Sequence, residues 1–157
     1  MSVARVLPLL LAAAAACGGG GSECGPTSAH VARVVDGDTI ELASGEKIRY
    51  LLVDTPESTT EIECYGENAK QFNTDLVNDK DIELRYDVEC QDRFGRLLAY
   101  VTVGGVEVNS LLVERGFGCV LHIPPDGDDR VDEFKALESE AKAALRGLWG
   151  ACSPIPC

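Results

Sequence analysis

The chain has no hydrophobic run long enough to cross a bilayer: its apolar segment, residues 6–16, falls well short of the roughly 20 residues a spanning helix needs. It has only two histidines, and its seven cysteines contain no CxxC pair, so a structural zinc centre is excluded. Basic residues are few, 14 Lys and Arg against 26 Asp and Glu, for a formal charge of −12. That sign excludes a protein that coats nucleic acid by bulk electrostatic attraction. No alternation of strand and helix patterns runs along the chain, which argues against doubly wound and TIM-barrel folds, and there are no internal repeats.

What is present begins with an export leader. Arg5 lies in a short charged start, residues 6–16 are apolar, and Ala14-Ala15-Ala16-Cys17 is followed by Gly18-Gly19-Gly20-Gly21-Ser22. This resembles a bacterial lipoprotein signal, with residues 1–16 removed, Cys17 lipidated, and residues 17–27 forming a Gly-rich tether. The expectation is an exported protein held at the outer membrane or cell surface, with plain secretion or a periplasmic location as the alternative. Residues 28–150 then form one domain of ordinary size, and residues 151–157 a cysteine-containing tail. Loss of Arg5 with the leader removes one basic residue, so the mature charge becomes −13.

Seven cysteines are an odd number, and setting Cys17 aside leaves Cys24, Cys64, Cys90, Cys119, Cys152 and Cys157. In an oxidising compartment six thiols imply three disulfides, with 15 possible pairings. Cys64 and Cys90 both immediately precede motif segments, which favours a bridge between them; the other four stay unassigned.

Period-two patterns over residues 29–36, 39–43 and 47–53, with turns at Asp36-Gly37 and Ser44-Gly45, predict a three-stranded meander. Residues 54–64 read as a loop and residues 65–78 as a helix with Ala69, Phe72, Leu76 and Val77 inward. Further strands are expected over residues 81–88 and 97–103. Asn109 is expected to cap a short helix over residues 110–115, and a longer helix over residues 131–146 presents Val131, Phe134, Leu137, Ala141, Ala144 and Leu145 before stopping at Gly147. Five strands with a helix after the third suit a small closed barrel.

The chemistry lies in three stretches: Val35-Asp36-Gly37-Asp38-Thr39, Arg49-Tyr50-Leu51-Leu52-Val53-Asp54-Thr55-Pro56-Glu57, and Asp92-Arg93-Phe94-Gly95-Arg96. Hard divalent cations bind carboxylate oxygens, and a phosphate in transition prefers the planar, permanently charged guanidinium. Asp38 and Asp54 could share a cation in a closed sheet, Glu57 could act on water, and Arg49 and Arg96 could face a phosphate. Asp36 and Asp92 read as turn residues. Arg49 and Asp54 are an odd number of positions apart, so whether they meet depends on where the strand ends. His30 and His122 lack metal-ligand spacing and read as structural.

These segments, with Tyr65-Gly66, Leu98-Ala99-Tyr100-Val101, Val108-Asn109, Leu112-Val113 and Gly116, resemble the staphylococcal nuclease (thermonuclease) family from about residue 31 to residue 149. The resemblance implies an α+β fold, a five-stranded oligonucleotide/oligosaccharide-binding (OB-fold) β-barrel with three helices. It implies a Ca²⁺-dependent endonuclease of DNA and RNA, acting as a monomer with single strands preferred, whose products end in 3′-phosphates. It places Ca²⁺ on the side chains of Asp38 and Asp54 and the main-chain carbonyl of Thr55, with Arg49, Glu57 and Arg96 as catalytic residues. The family's pair of nucleotide-stacking tyrosines has no counterpart in Val120-Leu121-His122-Ile123-Pro124, and Phe94 stands where a tyrosine is common. Two other readings are open: a catalytically weak nucleic-acid-binding barrel and a structural surface lipoprotein.

Overall fold

A computed structural model describes residues 23–157; the leader, Cys17 and the tether as far as Ser22 lie outside the described residues. Five strands close on themselves. β1 (Ser28–Asp36) pairs antiparallel with β2 (Thr39–Leu42), and β2 with β3 (Lys47–Tyr50). The start of β1 also pairs with β5 (Asp81–Arg85), and β5 with β6 (Leu97–Val103). Closure comes from a parallel pairing of β3 with β6, in the register Ile48 to Leu97, Arg49 to Leu98 and Tyr50 to Ala99. The barrel and its helices agree with the expected α+β OB-fold.

The expected third strand is interrupted. Leu51 is a turn residue and Leu52 has a left-handed φ of 61°, so β3 stops at Tyr50 and a short β4 (Leu52–Asp54) starts in a new direction. β4 pairs with β8 (Cys119–Leu121), a strand not anticipated from sequence. A two-residue β7 (Val106–Glu107) finishes the edge of β6.

The barrel is filled by Val31, Ile40, Leu42, Ile48, Tyr50, Leu84, Ala99 and Val101, all nearly or fully buried. Each fully buried aliphatic side chain contributes about 1.5–3 kcal/mol against exposure. The helix α1 (Gly66–Val77) buries Ala69 and Val77 and stacks Phe72 on Phe117 with ring centroids 4.1 Å apart. In α2 (Val108–Glu114), the capping role expected of Asn109 is not observed: Glu107 holds the cap position, and Asn109 is fully buried. Its Nδ2 donates to the carbonyls of Leu51 and Ala99, and its Oδ1 accepts from the Val101 amide. The longer helix α3 (Val131–Ala143) ends before Gly147, and Leu145, at a left-handed φ of 51°, is exposed rather than part of the apolar face. A final short helix, α4 (Leu148–Ala151), carries Trp149.

The disulfides are Cys24–Cys90, Cys64–Cys152 and Cys119–Cys157, which corrects the expected Cys64–Cys90 pair. Adjacency to motifs misled because the two cysteines face different appendages. Cys64 lies beside the end of α4, whereas the strand leading to Cys90 runs under the N-terminal segment, where the Tyr86 hydroxyl donates to the Pro26 carbonyl.

Candidate active site

Asp38 reaches the site from the turn after β1. Asp36 Oδ1 accepts from the Asp38 amide, an Asx-type turn, and Gly37 lets the turn press inward: a Cβ there would lie 2.6 Å from Thr55 Oγ1. Asp38 is buried. Its Oδ2 accepts from the Thr55 amide at 2.8 Å and from the Thr55 hydroxyl at 3.1 Å, and its Oδ1 from the Thr39 hydroxyl. The turn is further held by a relay in which the Tyr50 hydroxyl donates to Asn73 Oδ1 and Asn73 Nδ2 donates to the Asp36 carbonyl.

The break at Leu51 and Leu52 settles how Arg49 meets Asp54. Redirected by that turn, β4 brings the Asp54 carboxylate back over β3, and Arg49 Nη2 donates to Asp54 Oδ1 at 2.8 Å while lying 3.2 Å from Asp38 Oδ2. Arg49 Nη1 donates to the carbonyls of Tyr50 and Val53, which fixes the guanidinium plane. The side chain of Arg49 is 11% exposed, so it faces the acids rather than bulk water.

Glu57 is positioned by its main chain. Its amide donates to Glu63 Oε2, and its carbonyl accepts from the Glu63 amide, both at 2.9 Å. Gly66, the first residue of α1, lies against the same carbonyl: a Cβ there would be 2.1 Å from Glu57 O. Gly66→Ala is therefore expected to push Glu57 off its position and lower kcat by one to two orders of magnitude, as about 1 Å of misplacement does at a catalytic centre. Steady-state kinetics with a thermal melt would check this, and unchanged kcat in a folded variant would remove Glu57 from the chemistry.

Arg96 lies in the hairpin between β5 and β6. Asp92 Oδ2 accepts from Arg96 Nε at 2.7 Å and lies 2.7 Å from Nη2 in an ion pair, while Asp92 Oδ1 accepts from the Phe94 and Arg96 amides. Burial opposes ionisation of Asp92, but the Arg96 amide and side chain and the Phe94 amide outweigh it and hold its pKa below the usual carboxylate value. Asp92 is thus the residue that orients Arg96. The signal was in the sequence, an aspartate four positions before an arginine across a glycine turn.

Asp38, Arg49, Asp54, Thr55, Glu57 and Arg96 all line one cavity of about 250 Å³, with Asp36, Pro56 and Leu121. Four carboxylates face two guanidinium groups in it. Burial first, then the neighbouring Asp38 charge, pushes Asp36 up to about 6. Burial also raises Asp54; the Arg49 charge pulls it down, and the Asp38, Glu57 and Glu63 charges act with burial. An excess of clustered hard oxygens is what a divalent cation of the Ca²⁺ or Mg²⁺ type would neutralise, so the residues present fit such an ion. Among the described residues no group of three or more His, Cys, Asp or Glu side chains is placed to hold a metal ion by itself. Asp38, Asp54 and the Thr55 main chain would hold the ion, leaving the rest of its coordination sphere to water or substrate.

A second cavity of about 430 Å³ adjoins the first and shares Arg49, Arg96 and Leu121 with it. Its walls are mainly apolar, from Leu98, Leu121, Ile123 and the exposed ring of Phe94, with the Arg93 guanidinium 4.7 Å over that ring. Neither histidine borders these cavities: His30 bonds to Asp79 and Asp81, and His122 to Asp128.

A sequence profile described as "Staphylococcal nuclease homologue" matches residues 47–151, two thirds of the chain, and spans the segments that carry Arg49, Asp54, Glu57 and Arg96. The chain belongs to the staphylococcal nuclease family. Similar family members include the SPbeta prophage-derived endonuclease YokF of Bacillus subtilis, 39% identical over 124 residues that cover 74% of this chain and 42% of that protein. Endonuclease YncB of the same organism is 40% identical over 124 residues, covering 74% and 59% of the two chains. A thermonuclease of Staphylococcus intermedius is 33% identical over 125 residues, covering 76% and 74%. This family member thus spans only about half the length of the two Bacillus proteins. No helix among its described residues is long and apolar enough to cross a membrane.

Proposed function

We propose that the chain is a Ca²⁺-dependent endonuclease that hydrolyses phosphodiester bonds of DNA and RNA to 3′-phosphate products. We further propose that it is exported, anchored through a lipid on Cys17, and active as a monomer. The observation that carries the catalytic reading is the meeting of Asp38, Arg49, Asp54, Thr55, Glu57 and Arg96 around one small cavity.

In this mechanism the scissile phosphate lies between Arg49 and Arg96, whose guanidinium groups hold its non-bridging oxygens and stabilise the charge that grows on them. Glu57 takes a proton from the attacking water, whose oxygen bonds to phosphorus as the bond to the 5′-oxygen breaks. Arg96 also donates a hydrogen bond to the departing 5′-oxygen, which gains a proton from solvent. A cation held by Asp38, Asp54 and Thr55 supplies charge stabilisation on the phosphoryl oxygens and a way of orienting water. The apolar second cavity offers Phe94, Leu121 and Ile123 as a surface for an unstacked base, which supports single-stranded substrate despite the missing tyrosines. A binding module would line the smaller cavity with cations, and the four carboxylates there would repel an unneutralised phosphate.

The test uses the mature chain with denatured DNA and with RNA. Ca²⁺ is expected to permit cleavage and a chelator to abolish it, with 3′-phosphate ends found by mass spectrometry; no Ca²⁺-dependent cleavage would sink the reading. The same site gives a pH signature. Because the folded-state pKa of Asp36 is raised to about 6 from 3.8, this group's contribution to the stability of the ion-free protein grows as pH falls through that window. Cation binding needs the ionised acids, so the rise in Tm on adding Ca²⁺ is expected to be larger at pH 7.5 than at about pH 5.

A further inference from the structure

Each of the three disulfides joins a segment of the proposed active site to a segment outside the family-matched region. Cys90 closes the base of the Arg96 hairpin, where its carbonyl accepts from the Leu98 amide and Asp92 and Arg96 are bonded just beyond, and its partner is Cys24. Cys64 follows Glu63, which clasps the Glu57 main chain, and precedes Gly66, which abuts the Glu57 carbonyl; its partner is Cys152. Cys119 on β8 is opposite Asp54 on β4, and its partner is Cys157.

Cys64, Cys90 and Cys119 lie inside the family-matched region, residues 47–151, and Cys24, Cys152 and Cys157 all lie outside it. The bridges therefore add external struts to the nuclease core at the loops bearing Arg96, Glu57 and Asp54. They do not tie the barrel strands to one another. Sequence separations of 66, 88 and 38 residues would also stabilise the fold by restricting the unfolded chain, so stability is the competing explanation.

The structure assigns the cystines a positioning role: Cys24–Cys90 holds Arg96, Cys64–Cys152 holds Glu57 and Cys119–Cys157 holds Asp54, so that the oxidised chain is the catalytically competent one. This rests on the site proposed above. It follows that chain kept reduced, as before export, has the barrel but a loosened catalytic set.

The test replaces one pair at a time in the mature chain, C24S/C90S, C64S/C152S or C119S/C157S. Ca²⁺-dependent cleavage of single-stranded DNA is measured well below each variant's Tm, with folding followed by circular dichroism. Folded pair variants are expected to lose about tenfold or more in kcat with little change in KM, as misplacement of a catalytic group does. The loss from C24S/C90S should vanish in an Arg96→Ala background, and that from C64S/C152S in a Glu57→Gln background, because a positioning effect has nothing left to position. A purely stabilising bridge moves neither kcat nor this coupling. Wild-type kcat in all three folded pair variants, or losses that recur undiminished in those backgrounds, would overturn the role. A pair variant that unfolds is re-measured in trimethylamine N-oxide. Regained fold without regained turnover supports positioning, and regained turnover with the fold refutes it. Normal activity of Arg96→Ala and Glu57→Gln themselves would instead refute the proposed site.

Discussion

Arg96→Ala is expected to lower kcat by about 10²–10³ while leaving KM within a few-fold, the loss found when one preorganised donor to a developing oxyanion is deleted. The structure explains why the loss should be large. Arg96 Nε donates to Asp92 Oδ2 and Nη2 lies in ion-pair contact with the same oxygen, so the guanidinium is held in place, and it borders the cavity that also contains Arg49 and the acids. Little reorganisation is then needed when charge appears on the phosphate. Lysine should rescue poorly, because a single ammonium cannot stay paired with Asp92 and also present a planar fork to phosphate. Asp92→Asn should give an intermediate loss by loosening the same group. Turnover close to that of the unaltered chain in Arg96→Ala would exclude Arg96 from the reaction.

The second large effect is on stability. Asn109→Ala is expected to destabilise the fold by on the order of 3 kcal/mol, seen as a fall in Tm of about 10 °C. Asn109 is fully buried and makes three hydrogen bonds, to Leu51, Ala99 and Val101, all to backbone groups that water cannot reach. Truncation strands the Val101 donor and the Leu51 acceptor and leaves a void. Asp should be no better, since it offers no donor to the two carbonyls and buries a charge. Because Leu51 starts the turn that redirects β4, partial loosening should also reach Asp54. A variant melting within about 2 °C of the unaltered chain would show that the three bonds contribute little net stability.

The residues of the candidate site were legible in the sequence because few residue types suit the proposed chemistry. A hard cation restricts its ligands to oxygens and a phosphate selects arginine, so Asp38, Arg49, Asp54, Glu57 and Arg96 could be picked out before the fold was known, and the structure brings them to one cavity. The strand patterns gave the barrel for a similar reason, since alternation records which face is buried. What could not be read depended on contacts distant in the chain. Nothing marks Leu51 and Leu52 as a break, since leucine is neither glycine nor proline and its left-handed geometry is held by packing around it. Asn109 looked like a helix cap because asparagine often is one; only the buried carbonyls of Leu51 and Ala99 show otherwise. Cysteine positions alone do not distinguish 15 pairings, and the observed ones depend on where the segments flanking the barrel pack back against it. Asp36 and Asp92 shape their own turns, as their sequence context implies, and each also acts on a neighbour in the site.

The parallel closure of β3 on β6 sets the order in which competence can arise during folding. The meander that brings Asp38 and Arg49 together is local in the chain, whereas Arg49 comes opposite Leu98, next but one to Arg96, only once segments nearly fifty residues apart have paired. Such non-local pairing is the slow part of forming a barrel. A half-folded molecule with only the meander would therefore hold Asp38 beside Arg49 without the second arginine, and the proposed catalytic set is complete only once the barrel has closed.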